Sequence, residues 1–194
     1  MGASEVKMPD VIIIGDGPGG LSAALLLAKN QQDVVVFGDD KTAMHYAYLK
    51  NYLGIAEIHG AEFQRIARAQ VAGFGAKLRP DRVRELARAG DGFTVTLDSG
   101  EQVAAKYLIL SEGKGPRLAK QLGLAFDEAK GIAADRNART SVDGVYVVGR
   151  SARPGRSQAI ISAGDGAAAA IDILSRERGE DVLDWDEPPK APEA

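Results

Sequence analysis

A short apolar strand that runs directly into a glycine-rich turn constrains the fold of this chain more than any other feature. Residues 11–14 read Val-Ile-Ile-Ile, residues 15–20 read Gly-Asp-Gly-Pro-Gly-Gly, and a segment rich in Ala and Leu follows to Asn30. A β-branched run without polar alternation is typical of a strand buried on both faces, as in a parallel sheet. Because a second such run follows from Val34 to Phe37, the sequence predicts a βαβ unit with a helix over residues 19–30.

The turn has the G-x-G-x-x-G pattern of a dinucleotide site, in the strand-turn-helix context that this pattern requires. Gly15 would make the tight turn, Gly17 would let a pyrophosphate approach the backbone, and Gly20 would let helix and strand pack closely. The unpaired N–H groups at the helix start would hold the anion, and we assign Pro18 and Gly19 to the same site. Glycines between a strand and a helix also serve simple turn geometry, which is the alternative.

An acidic side chain is expected to bind a ribose at the end of the second strand. Gly38 occupies that place, and Asp39 and Asp40 follow it. Either aspartate can reach the ribose hydroxyls, and a solvated turn is an equal alternative for each one.

The rest of the chain alternates helices and strands, which predicts one α/β domain. The predicted elements are a helix at 60–75, a three-stranded antiparallel meander over 82–110 with its last strand at 103–110, a short helix near 118–122, a buried strand at 145–148 and an Ala-rich helix, interrupted by two glycines, at 158–178. We predict a single domain over 1–178 and a flexible tail over 179–194, because the tail is rich in Asp, Glu and Pro.

Composition excludes several classes of function. The chain has 24 Lys and Arg against 27 Asp and Glu, a net charge of −3, so it offers no basic field for a nucleic acid or a membrane surface. With no cysteine and only two histidines, we expect no disulfide, no thiolate nucleophile and no metal site. The first ten residues lack an apolar signal segment, so we expect a cytoplasmic protein.

Several later segments carry a resemblance to a known family. They are Asn51-Tyr52-Leu53-Gly54, Gly60-Ala61-Glu62-Phe63, the run from Ala105 to Gly113, the run from Arg139 to Gly149, and the run from Gln158 to Gly166. In this order they resemble the FAD domain of the low-molecular-weight thioredoxin reductases, over about residues 10–174. The resemblance implies a Rossmann-like FAD-binding domain with a parallel sheet, flanking helices and a three-stranded antiparallel β-meander.

The resemblance also implies which residues hold the FAD. It places Asn51 near the isoalloxazine, the backbone beside Val83 at the adenine, Gly113 and Gly149 in two further glycine signatures, and the amides of Gln158 and Ala159 at the flavin pyrimidine edge. A helix start at that edge would stabilise negative charge on the reduced flavin. No catalytic residue is assigned, although His45 is a candidate for proton transfer, with a structural role in its loop as the alternative.

The chain departs from the family pattern in informative places. Arg150 stands where the family carries an aspartate that binds a ribityl hydroxyl, and a guanidinium cannot accept that hydrogen bond. It would reach the pyrophosphate or point to solvent. Arg153 and Arg156 add positive charge nearby, for which a solvated basic loop is the simpler interpretation. Only residues 113–137 stand where the family inserts an NADPH-binding domain with a Cys-x-x-Cys motif, so we predict that thioredoxin reductase activity is absent.

Two hypotheses about function follow. The first is a flavoprotein oxidoreductase that takes electrons from free NAD(P)H, a reductase or a partner protein and passes them to an unidentified acceptor. The second is a non-catalytic FAD- or dinucleotide-binding sensor or partner subunit. Loss of the NADPH domain would uncover one flank of the flavin domain, and an exposed apolar face there favours a homodimer.

Overall fold

The structure is a computed structural model, and it describes residues 8–188. Its strands and helices in chain order are β1 (Val11–Ile14), α1 (Pro18–Lys29), β2 (Val34–Phe37), β3 (Tyr48–Leu49), β4 (Ile58–His59), α2 (Gly60–Gly73), β5 (Lys77–Arg79), β6 (Val83–Ala89), β7 (Gly92–Leu97), β8 (Gln102–Ala105), β9 (Tyr107–Leu110), α3 (Arg117–Gln121), β10 (Phe126–Asp127), β11 (Gly131–Ile132), β12 (Val145–Val147) and α4 (Ala159–Arg178). Short 3-10 turns lie at Ala43–Tyr46, Gly149–Ser151 and Pro154–Arg156.

Five strands form the central sheet in the order β12-β9-β1-β2-β5, and every neighbouring pair is parallel. The chain runs outward from β1 to β2 and β5, then returns to the other side of β1 with β9 and β12. Strand order therefore reverses between β1 and β9, and in open parallel sheets ligands bind outside the carboxyl ends of the strands at such a point. The predicted α/β architecture with a parallel sheet is confirmed.

Both faces of the sheet are buried. Alternate residues of each strand point to opposite faces, and each face packs against a different cluster. Ile13 packs with Leu27 in a cluster formed with α1, α2 and α4. Its neighbour Ile12 packs with Phe93 in a second cluster formed with the antiparallel meander β6-β7-β8 and α3. Burial of each such side chain contributes roughly 1.5–3 kcal/mol to the free energy of unfolding. Side chains on both faces therefore stabilise the sheet.

Helices α1 and α4 cross at a point where both backbones lack side chains. A Cβ on Gly166 would overlap the carbonyl oxygen of Gly19 and would lie 3.1 Å from the amide nitrogen of Ala23. Gly164, two residues earlier, faces open space. The two glycines do not interrupt α4, which runs for 20 residues without a break, and Gly166 instead permits the close approach of the helices.

The prediction of one strand over 103–110 is wrong. β8 ends at Ala105 and pairs antiparallel with β7, whereas β9 begins at Tyr107 and pairs parallel with β1 and β12. The exposed Lys106 lies between them, where the chain passes from one sheet to the other. The two parts differ in burial, because β8 is partly exposed while all four residues of β9 are buried.

The segment after α4 is predicted to be a flexible tail, and this stays a prediction. Its described part nevertheless contacts the domain. Val182 is buried, and the carboxylate of Asp184 accepts hydrogen bonds from Lys29 Nζ at 3.0 Å and Asn30 Nδ2 at 2.9 Å. Residues 1–7 and 189–194, which carry the rest of the terminal predictions, lie outside the described residues. None of the helices in the described part has the length and apolar character that a bilayer crossing needs.

Candidate functional site

A cleft of about 450 Å³ lies at the carboxyl ends of β1, β2 and β9, where the strand order reverses. This volume is typical of a small-molecule site. The predicted site residues that line it are Gly15, Gly17, Pro18, Gly19, Asp39, Gly113, Gly149, Arg150 and Ala159. The fold thus brings together residues from five separate segments of the sequence.

The glycine-rich turn owes its shape to positions that no other residue could occupy. Gly15 has a φ of +101°, its N–H donates to the Phe37 carbonyl at 2.8 Å, and a Cβ there would overlap the Ser111 carbonyl oxygen. A Cβ on Gly20 would overlap the Gly15 carbonyl oxygen. Gly20 therefore lies behind the turn, where it allows α1 to pack against β1, and does not line the cleft.

The N-terminus of α1 has no side chain to cap it. Gly17 is the N-cap residue, and Pro18 follows at the first helical position. Since a helix leaves its first N–H groups without internal partners, the amide of Gly19 is free to bind an anion. A Cβ on Gly17 would meet only Thr42 Oγ1, at 3.6 Å. The space in front of the turn is therefore open, as a backbone-bound pyrophosphate requires.

The N-terminus of α4 reaches the same cleft. Gln158 is its N-cap residue, with an extended backbone, and its side chain does not cap the helix. Instead, Gln158 Oε1 accepts a hydrogen bond from Asn51 Nδ2 at 2.9 Å on the exposed rim. Ala159 lies in the cleft wall and packs against Met44. Two uncapped helix N-termini, each with positive dipole character, thus converge on one cavity.

The two candidate ribose ligands lie in different environments. Asp39 lines the cleft, and a hydrogen bond from Lys41 Nζ at 2.8 Å lowers the pKa of its carboxyl. Asp40 adopts a left-handed conformation with φ of +58°. His45 Nε2 lies 2.7 Å from the Asp40 carbonyl oxygen and 3.2 Å from its carboxylate. Asp40 and His45 therefore contact each other, and neither lines the cleft.

Sequence reasoning missed the buried carboxylate inside the fingerprint. Asp16 is 5% exposed and accepts hydrogen bonds from the Asp40 N–H at 3.0 Å and from the Arg68 guanidinium. Burial raises the pKa of Asp16, and the charge of Arg68 offsets this in part. Gln64 Nε2 donates to the Asp16 carbonyl at 2.6 Å, and Gly38 leaves room for the carboxyl. The feature of the sequence that could have indicated this site is the glycine at position 38, because only a residue without a side chain leaves space there for the carboxyl of Asp16.

Glu112 caps helix α3 with its carboxylate. Its carboxylate accepts the N–H groups of Leu118 at 2.7 Å and Ala119 at 2.9 Å at the start of α3. Burial raises the pKa of this carboxyl, which the two N–H donors oppose. The preceding Ser111 donates its N–H to the Ile14 carbonyl at 2.7 Å, so the second signature is tied to the end of β1.

The remaining predicted residues lie in contrasting places. Val83 does not line the cleft, because its side chain packs in the core beneath the meander and its carbonyl accepts Arg117 Nη2 at 2.7 Å. The half-buried Arg150 does line it and has no ion-pair partner among residues 8–188. Within the same residues, no cluster of His, Asp and Glu side chains is arranged to hold a metal ion.

Comparison with known proteins places the chain in a class. Residues 49–167 match the sequence model of the pyridine nucleotide-disulphide oxidoreductases, and the chain belongs to this family. Membership implies a flavin cofactor.

Within this family, the resemblance to thioredoxin reductases is confirmed. A thioredoxin reductase of Streptomyces clavuligerus is 37% identical over 131 residues, which is 65% of this chain and 39% of that protein. A bifunctional thioredoxin reductase/thioredoxin of Mycobacterium leprae is 29% identical over 86% of this chain and 35% of its own length. The chain therefore spans well under half the length of these curated relatives.

Solved structures support the same fold. The atypical thioredoxin reductase TRi of Desulfovibrio vulgaris Hildenborough superposes with a TM-score of 0.79 at 20% identity, over 89% of this chain and 99% of that one. A thioredoxin reductase of Gloeobacter violaceus gives 0.79 at 18% identity, over 93% and 99%. At such identities the likeness shows the architecture, and the predicted Rossmann-type fold with its antiparallel meander is confirmed.

Proposed function

We propose that the cleft binds FAD and that the chain is a flavoprotein oxidoreductase distinct from the thioredoxin reductases it resembles. One observation carries the proposal, namely that the uncapped N-termini of α1 and α4 line a single cleft at the strand-order reversal. An elongated ligand with an anionic centre and an electron-rich ring edge matches two positive helix ends better than a compact ligand does.

The residues present fit this ligand. The amides following Gly17 would hold the pyrophosphate, and Asp39 would accept hydrogen bonds from a ribose. The first amides of α4, near Ala159, would face the pyrimidine edge, while Asn51 orients Gln158 at the rim. Arg150 lines the cleft and has no ion-pair partner within the described residues 8–188, which supports a role at the pyrophosphate. When bound, FAD supplies the two-electron chemistry, and the protein contributes position, electrostatics and exclusion of water.

The distinction from thioredoxin reductases rests on two features inside the chain. Its 194 residues contain no cysteine, so these residues cannot form the dithiol that passes electrons to a disulfide substrate. Between Glu112 and Asn137 the structure has only α3 and the hairpin β10-β11, too little for a second nucleotide-binding domain. We therefore expect the electron donor to be a pyridine nucleotide or a protein that docks at the cleft.

Replacement of Gly17 by valine tests the cofactor assignment. The backbone at Gly17 is extended, with φ −73° and ψ −179°, which valine can also adopt. A side chain at this position would face the cleft. We therefore expect the Gly17→Val variant to fold, with its valine side chain in the pyrophosphate position. Because each charge-assisted hydrogen bond contributes about 1.5–3 kcal/mol, we expect FAD affinity to fall by about tenfold or more. Quenching of FAD fluorescence during titration with the protein measures this affinity.

Gly73→Val is the matched control, since Gly73 also faces open space but lies at the far end of α2. It should retain FAD. A colourless wild-type protein that does not quench added FAD overturns the proposal, as does a Gly17→Val variant that binds FAD as tightly as the control.

Anaerobic mixing of the FAD-loaded protein with NADH and with NADPH separates the two functional hypotheses. Bleaching of the flavin absorption band shows that a pyridine nucleotide reduces the cofactor, as an oxidoreductase requires. If FAD binds but neither nucleotide bleaches it, the sensor or partner-subunit hypothesis is favoured, with a protein donor as the remaining redox route.

Dimerisation stays a prediction. Large apolar side chains are exposed near the rim of the cleft, with Tyr46 at 94% and Leu53 at 89% accessible, and Ile160 and Ile161 are also exposed. Contact between two copies would cover such side chains. We expect a dimer mass in solution by light scattering, and a strictly monomeric mass contradicts this prediction.

A further inference from the structure

The carboxyl group of Asp16 lies where β1 and β2 end, in the wall of the cleft. Asp16 and Gly38 both line the cleft, and Asp16 is only 5% exposed. A Cβ on Gly38 would lie 2.4 Å from Asp16 Cγ and 2.6 Å from Asp16 Oδ1. The carboxyl group therefore fills the space into which a side chain after β2 would extend. In dinucleotide-binding folds, an acidic side chain at that place binds the ribose.

The two oxygens of this carboxylate have different surroundings. Oδ2 accepts the Asp40 N–H at 3.0 Å and a hydrogen bond from the Arg68 guanidinium. Oδ1, which lies nearer to Gly38, receives no hydrogen bond from any other residue among residues 8–188. Because Arg68 already balances the charge, the carboxylate requires a further hydrogen-bond donor and not a second cation.

The polar side chains nearest along the chain have other partners. Lys41 Nζ donates to the exposed Asp39 carboxylate at 2.8 Å. Thr42 Oγ1 accepts the Met44 N–H at 3.3 Å. Since no side chain within residues 8–188 donates to Asp16 Oδ1, the donor to this oxygen comes from solvent or from a ligand in the cleft.

The position of Asp16 beside the N-terminus of α1 indicates the kind of ligand group. Asp16 directly precedes Gly17, the N-cap residue, and the diphosphate of the proposed ligand would bind at this helix start. In an adenosine diphosphate the ribose is bonded directly to the phosphates, so its hydroxyls would come to the carboxyl end of β2. A hydroxyl is a neutral donor, which suits a carboxylate whose charge is already balanced.

We infer that Asp16 binds a ribose hydroxyl at the adenosine end of the ligand and selects nucleotides in which that hydroxyl is present. This inference rests on the proposed function. It adds a buried carboxylate to the exposed Asp39, which would accept the second hydroxyl of the same sugar. Because a buried acceptor that loses its donor is unfavourable, a nucleotide without the hydroxyl should bind more weakly.

Calorimetric titration of the flavin-free full chain tests this inference. The probes are ADP, 2′-deoxy-ADP and 3′-deoxy-ADP, which share the adenine and the diphosphate and differ in one ribose hydroxyl. We expect the wild type to bind ADP about tenfold or more tightly than at least one deoxy nucleotide, because a charge-assisted hydrogen bond is lost. In the Asp16→Ala variant this preference should disappear.

A second variant covers the case in which Asp16→Ala does not fold. Removal of Asp16 alone leaves the largely buried Arg68 without its carboxylate. The double variant Asp16→Ala/Arg68→Gln removes both charges of the pair and should show the same loss of preference. Any change in the turn can lower the affinity for all three nucleotides, whereas the ratio of ADP affinity to deoxy-nucleotide affinity reports the hydroxyl contact itself.

Asp172→Ala is the matched control. Asp172 is 6% exposed and is also paired with an arginine, Arg139, but it does not line the cleft. This variant should lose stability and keep the wild-type preference between ADP and the deoxy nucleotides.

The inference is overturned if the wild type binds none of the three nucleotides or binds them equally, or if the Asp16 variants keep the wild-type preference. It is also overturned if the preference disappears in Asp39→Ala and persists in Asp16→Ala, because Asp39 alone then binds the sugar. The proposed function fails separately, when the chain does not quench FAD fluorescence. A chain that binds FAD but does not discriminate between ADP and the deoxy nucleotides refutes only the role of Asp16.

Discussion

Replacement of Gly166 by alanine should destabilise the domain through the contact between α1 and α4. The new methyl group would overlap the Gly19 carbonyl oxygen, with the Gly19 carbonyl carbon 2.9 Å away and the Ala23 amide nitrogen 3.1 Å away. All three are backbone atoms, so no side chain can rotate to make room. The helices must separate, and both of their N-termini line the cleft.

Gly164 provides the comparison that isolates this cost. It lies in the same helix and faces open space, so Gly164→Ala should stabilise the protein by about 0.5–1 kcal/mol through helix propensity. Gly166→Ala gains the same helix propensity, but the overpacking it causes typically destabilises the folded state by about 1–3 kcal/mol. The difference between the two variants is therefore the overlap energy alone, about 1–3 kcal/mol.

Thermal and urea unfolding measure this difference. For a domain of this size, 1 kcal/mol shifts Tm by about 2–4 °C, so the two variants should differ by about 2–12 °C. FAD affinity should fall in Gly166→Ala and stay unchanged in Gly164→Ala. Equal stabilisation by both substitutions would refute the close helix contact on which this reasoning depends.

Two further perturbations test local contacts. Glu112→Ala removes the cap of α3 and should cost about 0.5–2 kcal/mol of unfolding free energy, measured by urea denaturation; no loss contradicts the capping role. Burial opposes ionisation of Asp172, but hydrogen bonds from Arg139 and Tyr146 outweigh it and lower the pKa of that carboxyl below 3.8. Its stabilising contribution is therefore complete above about pH 4 and is lost as pH falls through the lower folded-state pKa, so the acid limb of the stability profile should flatten in Asp172→Asn.

The parts of the fold that rest on local pattern were predictable. β1 and β2 begin and end where their β-branched runs do, because a fully buried parallel strand needs an unbroken apolar sequence. The exchange of sheets at Lys106 was not predictable in the same way. The run from 103 to 110 is apolar except for Lys106 and could belong to either sheet, and only the tertiary pairing of Tyr107 with Val11 divides it.

The candidate site also combines features that a local sequence pattern predicts with features that only tertiary contacts determine. The glycine-rich turn could be predicted from the sequence, because its glycine spacing and its position between a strand and a helix are those of a dinucleotide site. The contact of Asp16 with Arg68 joins positions far apart in the chain, and no spacing rule connects them. The hairpin β10-β11 was missed because two-residue strands carry no periodicity. Their assignment depends on contacts with distant segments.

The central sheet acts as a partition between two cores. Because Ile12 and Ile13 belong to different clusters, side chains on one side have few neighbours in common with those on the other. Unfolding free energies of substitutions on opposite sides should then add, since coupling between mutations requires contact or shared partners. Core residues on the side of α1 and α4 can therefore be substituted without repacking of the core residues beneath the meander.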